Sequence, residues 1–137
     1  MAMTYRNRHA LVSAVDTWYI AALEGTVTQG PITVPVGMRK LSQLYSASGD
    51  STPTAASRNH GMVVKIVGVD DGEAVFVLNG VTGTGVTGGN AGTHCGSVRR
   101  DIDVPVTPGK VLSVYLCATG GVDTSAPLAG VTLGFST

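Results

Sequence analysis

Apolar residues along this chain fall in short runs of strand length, separated by Gly, Pro, Asp and Ser. The runs cover residues 10–15, 18–23, 32–34, 39–47, 62–69, 73–78, 98–106, 111–118 and 131–135. None keeps a 3.6-residue period long enough to demand a helix, and several alternate with the period of two that a strand imposes on its faces. A short helix competes only over residues 17–24, where Ala21, Ala22, Leu23 and Glu24 are good helix formers. The pattern favours a strand there too. It predicts an all-β, single-domain antiparallel β-sandwich over residues 1–137, jelly-roll-like, with about eight or nine strands.

Register arguments add two hairpins. Asp71-Gly72 between runs 62–69 and 73–78 is a strong type I′ turn signal, because that turn needs positive φ at both central residues. A two-residue loop sets Val69 against Ala74, Val67 against Phe76 and Ile66 against Val77, so both faces of the ribbon are apolar. Such a ribbon is expected to be buried on both sides, under the rest of the chain or against a neighbouring subunit. The second hairpin turns at Thr107-Pro108-Gly109-Lys110. A three-residue loop with Gly109 in the left-handed conformation pairs Val106 with Leu112, Val104 with Val114 and Ile102 with Leu116. Asp101, Asp103, Ser113, Tyr115 and Cys117 then share the wetter face. Two long stretches, 46–59 and the Gly/Thr-rich 80–93, are expected as loops that carry contacts or wander.

Composition narrows the class. Hydrophobic residues make up 43% and charged residues 13% of the 137, enough apolar material for one core and none of the charge excess of a disordered chain. Lys plus Arg equals Asp plus Glu at nine each, so no net field draws the chain to nucleic acid or to a membrane, and neither is expected as a partner. No apolar run approaches the ~18 residues of a membrane span. Residues 1–9 have basic side chains but no continuous apolar segment before a cleavage site, so no signal peptide is read there. The expected place of synthesis is the cytoplasm. Cys95 and Cys117 are too few for a disulfide framework and not spaced as a redox or zinc pair, so buried or free thiols are favoured over a bridge.

Candidate chemistry is thin. Gly83-Thr84-Gly85-Val86-Thr87-Gly88 spells a dinucleotide fingerprint with Asp103 further on, but Gly89-Asn90-Ala91-Gly92 cannot continue as the helix whose N-terminus must face the pyrophosphate. No cofactor is expected. His9, His60 and His94 lie at no metal-ligand spacing, and His94 and Cys95, adjacent on a strand, point to opposite faces. Asp70-Asp71 is accounted for by a turn, and Asp101 with Asp103 by the polar side of a strand, although a calcium ion could be held there. No nucleophile elbow and no Glu partner for paired-carboxylate chemistry is present. An enzyme is not expected, and no catalytic, cofactor-binding or metal residues are assigned. Carbohydrate binding is the rival class, because it needs only aromatic platforms; Trp18, Tyr45 and Tyr115 would have to cluster for it, against packing roles for each.

Residues 31–47 form a strand, a Pro-x-Gly turn and a longer strand, and residues 102–116 repeat that layout. This resembles the strand pattern of jelly-roll domains in viral and bacteriophage capsid, decoration and spike proteins, over about a third of the chain. The resemblance implies a virion structural protein that decorates or stabilises a capsid, with the major capsid protein and further copies of itself as partners, as a trimer or a dimer. A non-catalytic glycan-binding module, or the shell-forming or spike subunit itself, are the alternatives. The charge-poor body suits dense tiling, and closed symmetry is the usual outcome of self-assembly. Tyr5, Arg6, Arg8, Trp18 and Tyr115 are the candidate partner contacts, the first three on a segment through His9 that would be either an arm reaching a neighbour or an ordinary frayed end.

Overall fold

A computed structural model describes residues 2–12, 16–24, 27–50, 60–82, 94–119 and 128–137, with the backbone alone for 48–50, 60, 79–82, 94–97 and 128. The described chain forms eleven strands: β1 Met3–Leu11, β2 Trp18–Ile20, β3 Leu23–Glu24, β4 Val27–Thr28, β5 Ile32–Thr33, β6 Lys40–Asp50, β7 His60–Val69, β8 Gly72–Thr82, β9 His94–Pro105, β10 Val111–Thr119 and β11 Leu128–Ser136. They make two antiparallel sheets, β4-β3-β1-β11-β6-β9 and β2-β10-β7-β8, with β5 beside the start of β10. An all-β sandwich is what the alternation predicts, and the described residues contain no helix.

Setting aside the two-residue strands β3, β4 and β5, the pairings run first with last: β1 with β11, β2 with β10, β6 with β9 and β7 with β8. That is a long antiparallel ribbon rolled so that alternate pairs fall in opposite sheets, the jelly-roll arrangement. Leu41, Leu44, Val131, Leu133 and Phe135 of the first sheet meet Met62, Val64, Ile66, Leu78, Leu112, Val114 and Leu116 of the second in one buried core. Each such side chain contributes about 1.5–3 kcal/mol by leaving water.

The 107–110 turn forms, but not as a hairpin. Lys110 N–H donates to Thr107 O at 3.1 Å and Gly109 has φ 83°, the geometry that Pro at the second and Gly at the third position favour. Yet β9 pairs with β6 and β10 with β7, so the turn carries the chain from one sheet to the other and the expected pairing of Val106 with Leu112 does not occur. Val106, Leu112, Val114 and Leu116 are buried all the same, with Ile102 and Val104 packed against the core. Alternation fixed which face each residue takes; two strands with one apolar face can meet across a sandwich as well as side by side. Cys95 and Cys117 accordingly lie on strands of different sheets, and the Cys117 thiol is free.

The β7–β8 hairpin is present with a different register. Asp70 and Asp71 form the tip, neither with positive φ, and Gly72 takes φ 97° opposite Val69, so the turn is not type I′. Gly68, at φ 111°, is an extra residue in β7, a bulge that sets Val67 against Glu73 and Ile66 against Ala74. The tip is tied to the 105–107 corner by Asp70 N–H donating to Pro105 O at 3.1 Å and Thr107 Oγ1 donating to Asp70 Oδ1 at 2.7 Å.

Two further readings are corrected. Met3–Leu11 pairs along its whole length with β11, so residues 3–9 are a strand within the first sheet rather than an arm or a frayed end. Run 18–23 is broken at Ala21-Ala22: β2 joins the second sheet, whereas Leu23 pairs with His9 in the first. Ala21 is buried, its N–H donating to Val114 O at 2.8 Å.

Candidate functional site

The outer face of the second sheet is built by the odd-numbered partners of the core residues on β7, β8 and β10, and by Trp18 and Ile20 of β2. Reading across the strands, one row is Trp18, Cys117, Val63 and Val77; the next is Ile20, Tyr115, Lys65 and Val75; the third is Ser113, Val67 and Glu73. Apart from Lys65, Glu73 and Ser113, these rows are apolar or aromatic. Trp18 is 43%, Ile20 50%, Val75 50% and Val77 53% exposed, and Val67 and Val111 extend the surface toward the 107–110 corner. Scattered exposed apolar residues are ordinary on any protein, but here they form a contiguous set across the four neighbouring strands β2, β10, β7 and β8.

Lys65 organises the middle of this face. Its Nζ lies 4.4 Å from the Trp18 ring centroid and 5.1 Å from that of Tyr115. A cation over two aromatic rings is held by their quadrupoles, worth about 0.5–2 kcal/mol per ring according to exposure, while the lysine stem lies along apolar surface. Beneath, Cys117 is buried, and that burial first and the nearby Asp16 carboxylate second push its thiol above the ordinary value. It is therefore a small apolar filler and a poor nucleophile.

The opposite outer face has contrary chemistry. Its rows are Tyr5, Gly134, Gln43 and Asp101, then Asn7, Thr132, Tyr45 and Arg99. Tyr5 donates its hydroxyl to Gln43 Oε1 at 2.9 Å across Gly134, and Thr132 donates to Asn7 Oδ1. Arg99 stands 5.7 Å from the Tyr45 ring centroid and 3.4 Å from Asp101, and Lys40 lies 3.4 Å from Asp103. The two aspartates thus face cations of their own sheet, which is the reverse of an empty calcium cage. Among the described residues no group of three His, Cys, Asp or Glu side chains comes together.

The structure divides the five expected contact residues. Trp18 and Tyr115 converge around Lys65. Tyr5 belongs to the polar face. Arg6 is exposed at the rim of an open groove of about 480 Å³ that Pro31, Val34, Val36 and Gly109 also line. Arg8 is buried, its Nε donating to Gly30 O at 2.8 Å and its amino groups to Asn7 O at 2.7 Å and Pro31 O at 3.4 Å. Its guanidinium is hydrogen-bonded to these carbonyls and lies 3.9 Å from the Glu24 carboxylate, so Arg8 pins the turn before β5 while lining the same groove as Arg6. Tyr45, needed for an aromatic glycan platform, sits on the opposite sheet from Trp18 and Tyr115. Lys65, Val75, Val77 and Ile20 complete the apolar face. The two-faced ribbon signalled the valines, but nothing local in the sequence places them beside Trp18.

His9 covers Gly130, where a Cβ would lie 2.9 Å from its ring. The His60 and His94 side chains and the Gly83–Gly88 motif fall outside the described residues. No protein-family model matches the chain, and comparison with curated proteins finds no match either.

Proposed function

We propose that this chain is a structural subunit of a virion, a decorating or stabilising protein that sits on the lattice of a major capsid protein as an oligomer. The observation that supports this best is the half-exposed apolar face of the second sheet on a jelly-roll body. Jelly rolls serve as capsid and lectin domains among others, so the fold alone does not choose between roles. The surface chemistry does favour one: a broad, flat, sparsely charged sheet face suits contact with another protein surface, whereas a ligand site is concave.

The lectin-like reading draws on the convergence of Trp18 and Tyr115. Sugar stacking needs free ring faces, and Lys65 already lies over both. A role in packing therefore fits these rings better than a role in stacking.

The test is the state of the purified protein. Native mass spectrometry and negative-stain electron microscopy, from micromolar concentration upward, should find a discrete oligomer, and incubation with assembled shells of its major capsid protein, to be sought among the products of neighbouring genes, should deposit it on their surface. A protein that stays monomeric throughout and ignores the shells would refute the proposal.

A further inference from the structure

We infer that the outer face of the second sheet is covered by the same face of a second copy of this chain, related by a two-fold axis. This rests on the structural-subunit reading above and names the partner for its apolar face.

Two observations choose that partner. The first is charge. Lys65 and Glu73 stand on neighbouring strands of the face, one column and one row apart, and among the described residues neither joins an ion pair. A two-fold axis lying between the sheets and bisecting the line from Lys65 to Glu73 brings each chain's lysine over its partner's glutamate. An isologous contact must be self-complementary, and one cation beside one anion is the simplest pattern that is. A surface built for a basic or an acidic partner would carry one sign.

The second is area. Trp18, Ile20, Val67, Val75, Val77 and Val111 are between 37% and 53% exposed, which for side chains of their size amounts to roughly 500 Å² of apolar surface on each copy. Two such faces remove roughly 1,000 Å² together, the threshold for a specific interface before any polar rim is added. Sheets packed face to face stand about 10 Å apart, close enough for the valine rows to interdigitate. The polar outer face with Tyr5, Tyr45 and Arg99 is left pointing away from the axis on both copies, free to meet a different surface.

The test is sedimentation velocity on the intact protein with Trp18 emission as a local probe, since the chain holds one tryptophan. The wild type should dimerise, and its emission should shift to shorter wavelength as dimer forms. Val75→Asp, an exposed position, should give a monomer with an unchanged far-UV spectrum. Lys65→Glu and Glu73→Lys should each weaken dimerisation about tenfold or more by setting like charges together, and the double variant should recover to near the wild-type constant. Because Lys65 and Glu73 are also diagonal neighbours within one chain, the far-UV spectrum and melting temperature of each variant are read beside its dimerisation constant, and recovery counts only where the single variants are as well folded as the double.

A wild type that stays monomeric to about 1 mM, far weaker than any specific contact of this size, overturns the inference. So does an oligomer indifferent to Val75→Asp, or a double variant no better than the singles. Oligomers that persist in Val75→Asp would leave the structural-subunit reading intact while removing this face from it. A dimer that obeys the charge swap but never joins a shell would do the opposite.

Discussion

Gly68 is the residue on which the outer face depends, and replacing it with alanine gives a sharp test of the fold. The bulge at Gly68 supplies the extra residue that brings Val67 opposite Glu73 and Lys65 opposite Val75. At φ 111° an L-residue is strained, and the new Cβ would lie 2.3 Å from Val111 O and 3.3 Å from Leu112 Cδ2. The first contact is with backbone, so relief requires β10 to move near its pairing with β5. Gly109 separates the two effects, because it too has positive φ, 83°, but a Cβ there would meet nothing within 4 Å. Gly109→Ala should cost about 1–2 kcal/mol, the left-handed penalty alone. Gly68→Ala should cost about 2–5 kcal/mol, the same penalty plus about 1–3 for displaced packing. At about 3–5 °C per kcal/mol for a chain of this size, the two should melt about 3–10 °C and about 6–25 °C below the wild type by circular dichroism. Equal melting temperatures for the two variants would refute the close approach of Gly68 to β10.

Two other expectations concern buried polar groups. Arg8→Ala should cost about 2–3 kcal/mol in urea unfolding, since the carbonyls of Gly30, Pro31 and Asn7 lose a charged donor; Arg8→Lys should recover less than half, because an ammonium cannot span them as a planar fork does. The Cys117 thiol, raised by burial and then by Asp16, should resist iodoacetamide in the folded protein and react promptly in denaturant. A raised thiol favours the folded state fully while the unfolded thiol is also protonated, and that balance changes as pH rises past the unfolded value of about 8.5 toward the higher folded one, where the unfolded chain sheds its proton first. Stability should therefore fall over that alkaline window, less steeply in Cys117→Ala; identical pH profiles would contradict it.

The sequence was legible where the face of a residue was the question and opaque where its neighbour was. Alternation correctly turned Val104, Val106, Leu112, Val114 and Leu116 inward, yet it joined β9 to β10, because a shared apolar face is common to a hairpin and to two layers of a sandwich. β1 escaped hydropathy altogether over residues 3–9: Thr4, Arg6 and Arg8 stand there on the side of the buried Ala10, and what makes Arg8 an acceptable buried residue is a set of carbonyls more than twenty positions away, at Gly30 and Pro31. The register of β7 with β8 failed through Gly68: a lone glycine in a strand run marks a bulge or a close backbone approach, both of which occur here beside Val111 of β10, and alternation does not weigh it. The same limit applies to the candidate site. Trp18 and Tyr115 could be chosen singly as large aromatics, but their meeting over Lys65 needs β2, β10 and β7 side by side, an order set by how the ribbon rolls.

The pairing of β1 with β11 also governs how such a chain can be made. During synthesis Met3–Leu11 emerges before every other strand described, and its long partner, Leu128–Ser136, emerges after all of them. Until then β6 lacks a neighbour on that side as well, so the centre of the first sheet stays open and the growing chain must carry unpaired strand edges through most of its elongation. Folding of this kind is slow, being dominated by contacts between distant parts of the chain. Arrival of β11 between β1 and β6, rather than passage of any earlier segment, is the event that lets the first sheet become whole.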